Sequence, residues 1–266
     1  MDVSFVLFLA AVGACVGFLS GLLGIGGGIV MFPLLLYVPP MLGIGSIDVK
    51  SITGLTMAQG FFSAVTALFH YQRNSLVNKP LVLTLGLSLF LSSLAGSLFS
   101  KQVADGPLLM VFGTLALIAA LMMFIPRRYH RDEMTEEQVT FHRTTTIAIG
   151  IVLGFTIGLV GQGGAFILIP MMLYVLKIPL RVALGSTLGI GLFSSTAGMI
   201  GKAATGQVPY LMALPLIIGA IPAARYGSIV GQKTDTRYLK WLLAVIIMIT
   251  AIKVWAGIFR AIEGQP

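Results

Sequence analysis

The chain has 266 residues, 57% of them apolar and 10% charged, with a mean hydropathy of +0.98. Soluble domains carry roughly 25% charged residues, so an ordinary soluble globular protein is excluded and a bilayer is the expected solvent. The net charge of +8 does not point to nucleic acid, because the basic residues lie in short loops between apolar runs, where a membrane protein carries them.

In chain order the apolar segments fall at 3–23, 29–41, 51–70, 80–100 and 107–125. A polar stretch from Arg127 to Arg143 follows, then segments at 145–160, 165–177, 182–202, 209–231 and 238–258. Most have the length of about 17–25 residues that a bilayer core requires; the second segment of each half is shorter. The first segment is not read as a signal peptide. It opens with Asp2 rather than a basic residue, and its apolar run is long for a signal. The single cysteine, Cys15, allows no intrachain disulfide and is expected to be a small packing residue.

The two halves repeat. A shift of 137 residues places 11–37 on 148–174 with twelve identities, among them Gly13/Gly150, Gly17/Gly154, Gly24/Gly161, Pro33/Pro170 and Tyr37/Tyr174. A shift of 131 then relates 50–71 to 181–202, pairing Lys50/Arg181, Thr56/Thr187, Gly60/Gly191, Phe62/Phe193 and Ser63/Ser194, and later Gly96/Gly227 and Ser97/Ser228. The expected organisation is therefore an N-terminal membrane repeat over 1–126, a cytoplasmic linker over 127–143 and a C-terminal membrane repeat over 144–266.

Charge placement sets the direction of each half. If the first two segments of a half formed one crossing, the basic residues would divide almost evenly between the faces. If they form a hairpin, eleven basic residues fall on one face and five on the other, with Arg225 inside the membrane. The positive-inside bias favours the hairpin. Each half then has an odd number of crossings, so the halves are inverted and both termini lie outside the cytoplasmic membrane. The fold class is an all-α polytopic membrane protein of two inverted structural repeats, each a glycine-tipped broken hairpin followed by three transmembrane helices.

The tips carry the chemistry. Gly24-Ile-Gly-Gly-Gly28 and Gly161-Gln-Gly-Gly-Ala165 interrupt helices inside apolar flanks. Irregular backbone survives in a membrane only where it is buried or lines a cavity. Its free N–H groups, followed by a helix N-terminus, suit an oxyanion. Gly24, Gly26, Gly27 and Gly28, with Gly161, Gln162, Gly163 and Gly164, are thus substrate-binding candidates, expected to face each other across one small anion near the midplane. Thr53, Thr56 and Gln59 in one half, and Ser186 and Thr187 in the other, are candidate hydroxyl and amide donors to it. Gly13, Gly17 and Gly21, with Gly150, Gly154 and Gly158, follow the small-xxx-small spacing of close helix packing.

Arg225 is the one charge placed inside a crossing, a gating or charge candidate that competes with simple snorkelling to the interface. His70 and Lys202 read as interfacial, and His130 and His142 as solvated linker residues. No nucleophile–base pair, metal-ligand spacing or cofactor motif is present, so neither enzyme activity nor a cofactor is expected. All nine acidic residues lie in loops or termini. The expected partners are a small anion and the lipid bilayer, with no nucleic acid, and nothing in the sequence sets an oligomeric state.

The doubled motif resembles the TauE/SafE family of membrane anion permeases, through Gly21-Leu-Leu-Gly-Ile-Gly-Gly-Gly-Ile-Val-Met-Phe-Pro33, Gly158-Leu-Val-Gly-Gln-Gly-Gly-Ala-Phe-Ile-Leu-Ile-Pro170 and Ala183-Leu-Gly-Ser-Thr-Leu188. The resemblance covers nearly the whole chain and implies transport of sulfite, sulfonates or related organic anions, often outward. Ala165 in place of the last tip glycine, and Gly54-Leu-Thr where the second half has Gly185-Ser-Thr, depart from symmetry at the presumed site.

Overall fold

A computed structural model describes residues 2–24, 26–71, 78–125 and 141–262, which are helical with short connections and no strand. Linker residues 127–140, including His130, lie outside the described residues, as does Ile25; at 162–164 only the backbone is described. The helices are α1 (Val3–Leu23), α2 (Gly28–Met41), α3 (Val49–Tyr71), α4 (Lys79–Phe99), α5 (Asp105–Phe124), α6 (Arg143–Val160), the single turn α7 (Leu168–Pro170), α8 (Leu180–Ala204), α9 (Tyr210–Lys233) and α10 (Thr236–Ile262). Among the described residues seven helices are long and apolar enough to cross a membrane. The 23-residue α3 matches them in length.

Local sequence sets the ends. α1 stops where Gly24 turns left-handed (φ 69°) and its N–H donates to the Ser20 carbonyl at 2.8 Å, a conformation glycine adopts without Cβ strain. α4 starts at Asn78, whose Oδ1 accepts the Leu81 N–H at 2.9 Å, with Pro80 in the first turn.

Both opening segments fold back. A Cβ on Gly27 would meet Val16 and Ser20 of α1, so the chain has reversed within four residues of the helix end. The second hairpin returns differently: a 3-10 turn (Gln162–Ile167) leads into α7 and a π turn (Met171–Val175). Tyr174 at its end donates its hydroxyl to the Ile125 carbonyl at 3.0 Å, at the close of α5.

Packing follows both registers of the repeat. Gly13, Gly17 and Gly21 of α1 lie against the backbone of Leu216, Ala220 and Ala224 of α9. In the other half Gly150, Gly154 and Gly158 of α6 lie against Ser88, Leu89 and Ser93 of α4. Reciprocally, Gly227 meets Phe18, and Gly96 meets Phe155. Each of these is a pair related by one shift or the other. Small residues let backbones approach in lipid, where no hydrophobic gain drives helices together.

The long helices α3 and α8 occupy the centre and cross antiparallel: Gly54 lies beside Gln207 and Val208, whereas Met57 lies beside Gly198. α1 runs parallel to α9, and α6 to α4. The exposed surface is apolar, with Leu83, Leu87, Leu91, Ile151, Val152 and Ile218 outward, as contact with lipid tails requires.

Candidate anion site at the glycine tips

The structure docks each tip on the long helix of the opposite half. Gly24 packs against the Leu184 carbonyl and the Leu188 side chain of α8. Gly161, at φ 86° and ψ −177°, packs against Thr53 and Thr56 of α3. Residues 53 and 184 are related by the 131-residue shift, so the two dockings are equivalent.

The two tips meet α8 and α3 at different heights. The α8 residue beside Met57, close to the second tip, is Gly198. It stands 10–14 residues from Leu184 and Leu188 at the first tip, about 15–20 Å at a helical rise of about 1.5 Å per residue. Between the tips the two returning segments pass each other around Phe112. That ring stacks on Phe32 of α2 with centroids 4.4 Å apart and meets Phe166 edge-on at 5.9 Å. The physical reason is length: α1 is a full 21-residue helix, so its tip emerges near one end of the molecule rather than at half depth.

The proposed donors are all buried. Thr53, Thr56, Gln59 and Ser186 have no exposed surface, and Thr187 is buried too. Their hydroxyls are partly committed. Thr53 donates to the Lys50 carbonyl at 2.7 Å and Thr56 to the Thr53 carbonyl at 2.8 Å, while Thr187 donates to Ala183 and Leu184 of its own helix. Such back-bonding is the usual resting state of membrane hydroxyls. Ser186 Oγ accepts the Asn78 backbone N–H at 3.1 Å and so fastens the start of α4. Gln59 Nε2 donates to Ser63 Oγ at 2.7 Å, and its Oε1 has no hydrogen-bond partner among the described residues.

Gly26 and Gly27 adopt positive φ (71° and 70°), and Gly28 opens α2. Gly163 and Gly164 continue Gln162 in the 3-10 turn. Gln162's side chain is not among the described groups. Among the described residues no group of three or more His, Cys, Asp or Glu side chains is placed to hold a metal ion.

Two basic residues differ in their surroundings. Arg225 is exposed on α9, while the neighbouring Ala224 takes the face against α1. That placement suits the snorkelling alternative. Lys202, read as interfacial, is fully buried in the last turn of α8, because α8 is central and its end is covered by α4, α6 and the connection to α9. The described side chains do not include His70.

Sequence reasoning missed Ser20. Its hydroxyl is buried without a partner among the described residues, and its Cβ is 3.3 Å from a Cβ placed on Gly27. The signal was available: a serine one turn before Gly24, where the other half has Ile157.

Comparison with known proteins places these features in context. Residues 9–254 match the family described as Sulfite exporter TauE/SafE. A probable membrane transporter protein of Methanocaldococcus jannaschii is 27% identical over 249 residues, covering 90% of this chain and 91% of that protein. The Bacillus subtilis protein YunE, also named a probable membrane transporter, is 23% identical over 272 residues, covering 96% and 99%. One from Xylella fastidiosa strain 9a5c is 29% identical over 265 residues, covering 92% and 95%. No solved structure matches the chain.

Proposed function

The chain belongs to the Sulfite exporter TauE/SafE family of membrane transporters, and from that premise we propose that it exports a small sulfur-containing oxyanion, sulfite or an organosulfonate, across the cytoplasmic membrane. The family is one of transporters rather than enzymes. The observation that carries the substrate reading is the pair of equivalent glycine tips, each buried against the long central helix of the other half.

In this reading 1–126 and 144–266 are inverted repeats, supported by the antiparallel α3/α8 crossing and by the exchange of partners between α1/α9 and α6/α4. The binding groups are Gly24, Gly26, Gly27, Gly28, Gly161, Gln162, Gly163 and Gly164 together with Thr53, Thr56, Gln59, Ser186 and Thr187. The anion is exchanged between tips at different depths as one half rocks against the other. Backbone N–H groups of the tips would replace part of its hydration shell.

Purified protein in liposomes is expected to carry sulfite or an organosulfonate with saturable uptake and counterflow exchange. Absence of flux for both anion classes would overturn the proposal. Ohmic currents without counterflow would assign a channel instead.

The orientation has a separate check. The structure brings Lys50, Lys101 and Lys202 to one end, with Lys50 Nζ donating to the Lys101 carbonyl at 2.9 Å. In a Cys15→Ala background, single cysteines at 48 and 204 are expected to label from outside, and at 79 and 235 only from inside. The reverse pattern would place the termini in the cytoplasm.

A further inference from the structure

Lys202 is a buried cation with no carboxylate partner among the described residues. Its Nζ donates to Ser100 Oγ at 2.7 Å, to the Leu159 carbonyl at 3.1 Å and to Gln207 Oε1 at 3.1 Å. These three neutral acceptors satisfy its N–H geometry and leave its charge uncompensated, although Leu159 adds the negative end of the α6 dipole. Asp48 and Asp105 lie at the same end of the molecule. Both are exposed, and the Asp48 carboxylate accepts the Ser51 N–H at 2.9 Å. A buried charge is normally paired, and an anion at this point would supply that pairing.

The surroundings suit one. Gln207 Nε2 donates to Ser100 Oγ at 3.1 Å and to Thr205 Oγ1 at 2.7 Å. An ammonium, two hydroxyls and an amide therefore gather at one point, where an oxyanion with three or more acceptor oxygens can replace bonds they now make to one another. Gln207 sits in the connection between α8 and α9, so it can swing away without breaking a helix.

The cluster also adjoins the second tip. Leu159 is two residues before Gly161, and the Thr53 facing Gly161 is one turn beyond Lys50. Lys50 Nζ donates to the carbonyl of Lys101, the residue after Ser100, at 2.9 Å. The other half has no counterpart: the 131-residue shift puts Tyr71 at the lysine position, Gly231 at Ser100 and Leu76 at Gln207.

We propose that Lys202, Ser100, Thr205 and Gln207 form an anion-binding subsite beside the second glycine tip, where the transported oxyanion is charge-paired at one end of its path. The subsite rests on the transport reading above. It makes the two ends of the path unequal, one with a fixed cation and one without.

The test is sulfite and methanesulfonate binding to purified wild type, K202M and K202R in lipid nanodiscs. K202M is expected to weaken binding by about tenfold or more, the scale of a charge-assisted hydrogen bond; K202R, which restores the charge, should stay within about threefold. Folded K202M with wild-type affinity would overturn the subsite and leave the transport reading standing. A wild type that binds neither anion would overturn both. If K202M does not fold, the S100A/Q207L variant retains Lys202 and removes two neutral donors. It is expected to weaken binding about three- to tenfold, and unchanged affinity there would equally overturn the subsite.

Discussion

Valine in place of Gly161 is expected to reduce anion flux by about 100-fold or more while leaving the protein folded. Gly161 sits at φ 86°, a region that costs a β-branched residue on the order of 1–3 kcal/mol. A Cβ there would also overlap Thr56 Oγ1 and approach the Thr53 carbonyl at 2.7 Å. Neither neighbour can retreat, since both belong to the buried first turns of α3. The tip must therefore withdraw from α3, and the backbone N–H groups proposed to meet the anion go with it. A misplacement of this kind near 1 Å is enough to lose two orders of magnitude in a positioned site.

The comparison variant is G43A. Gly43 is also left-handed (φ 66°), but nothing lies within 4 Å of its Cβ position. It should keep flux within about twofold, because the cost of αL alanine is only about 1–2 kcal/mol and falls on an exposed turn. Flux in liposomes, normalised to monodisperse protein, checks both. Wild-type flux in G161V would remove the second tip from the transport path.

The second large effect concerns assembly. Leucine at Gly17 or Gly154 is expected to destabilise the folded protein by about 3 kcal/mol or more, at the top of the range for overpacking. Gly17 faces the backbone of Ala220, and Gly154 faces Ser92 and the backbone of Leu89. Backbone has no rotamer to yield, so the helices must separate along their whole contact. Those two contacts, α1 to α9 on one side and α6 to α4 on the other, are the most extensive between the halves. A loss of monodisperse protein and a lower melting temperature are the expected readouts. L87F, on an exposed face of α4, should melt like wild type, because lipid accommodates the larger ring.

Much of the fold was legible in sequence. The apolar runs match α1, α4, α6 and α9 to within a few residues, since a bilayer demands continuous apolar length and the sequence has to supply it. The hairpins were legible from glycines and charge placement together. Glycines alone allow either a kink or a reversal; the reversal is seen in Gly27 lying beside Val16. The packing role of Gly13, Gly17 and Gly21 was legible from spacing, because a four-residue period marks one helix face.

The depth of the tips was not legible. A glycine cluster says where a helix can end, and the level of that end depends on the neighbour it meets. Nor did hydropathy locate Lys202, or decide between the two alternatives for Arg225. Arg225 sits mid-sequence in an apolar helix and faces outward, whereas Lys202 sits at a helix end and is enclosed.

By itself, the sequence of this protein determined which segments are helices, where they break, and which residues of the two halves correspond. Each of those follows from properties carried along one strand of chain: apolar length, glycine placement and period. Tertiary structure alone decided that each tip docks on the opposite half, that among the described residues Ser20 Oγ and Gln59 Oε1 have no hydrogen-bond partner, and that a lysine lies buried beside the second tip. Those depend on which face of a helix meets which neighbour, and at what height. Such choices are set by helix–helix packing between residues more than a hundred positions apart.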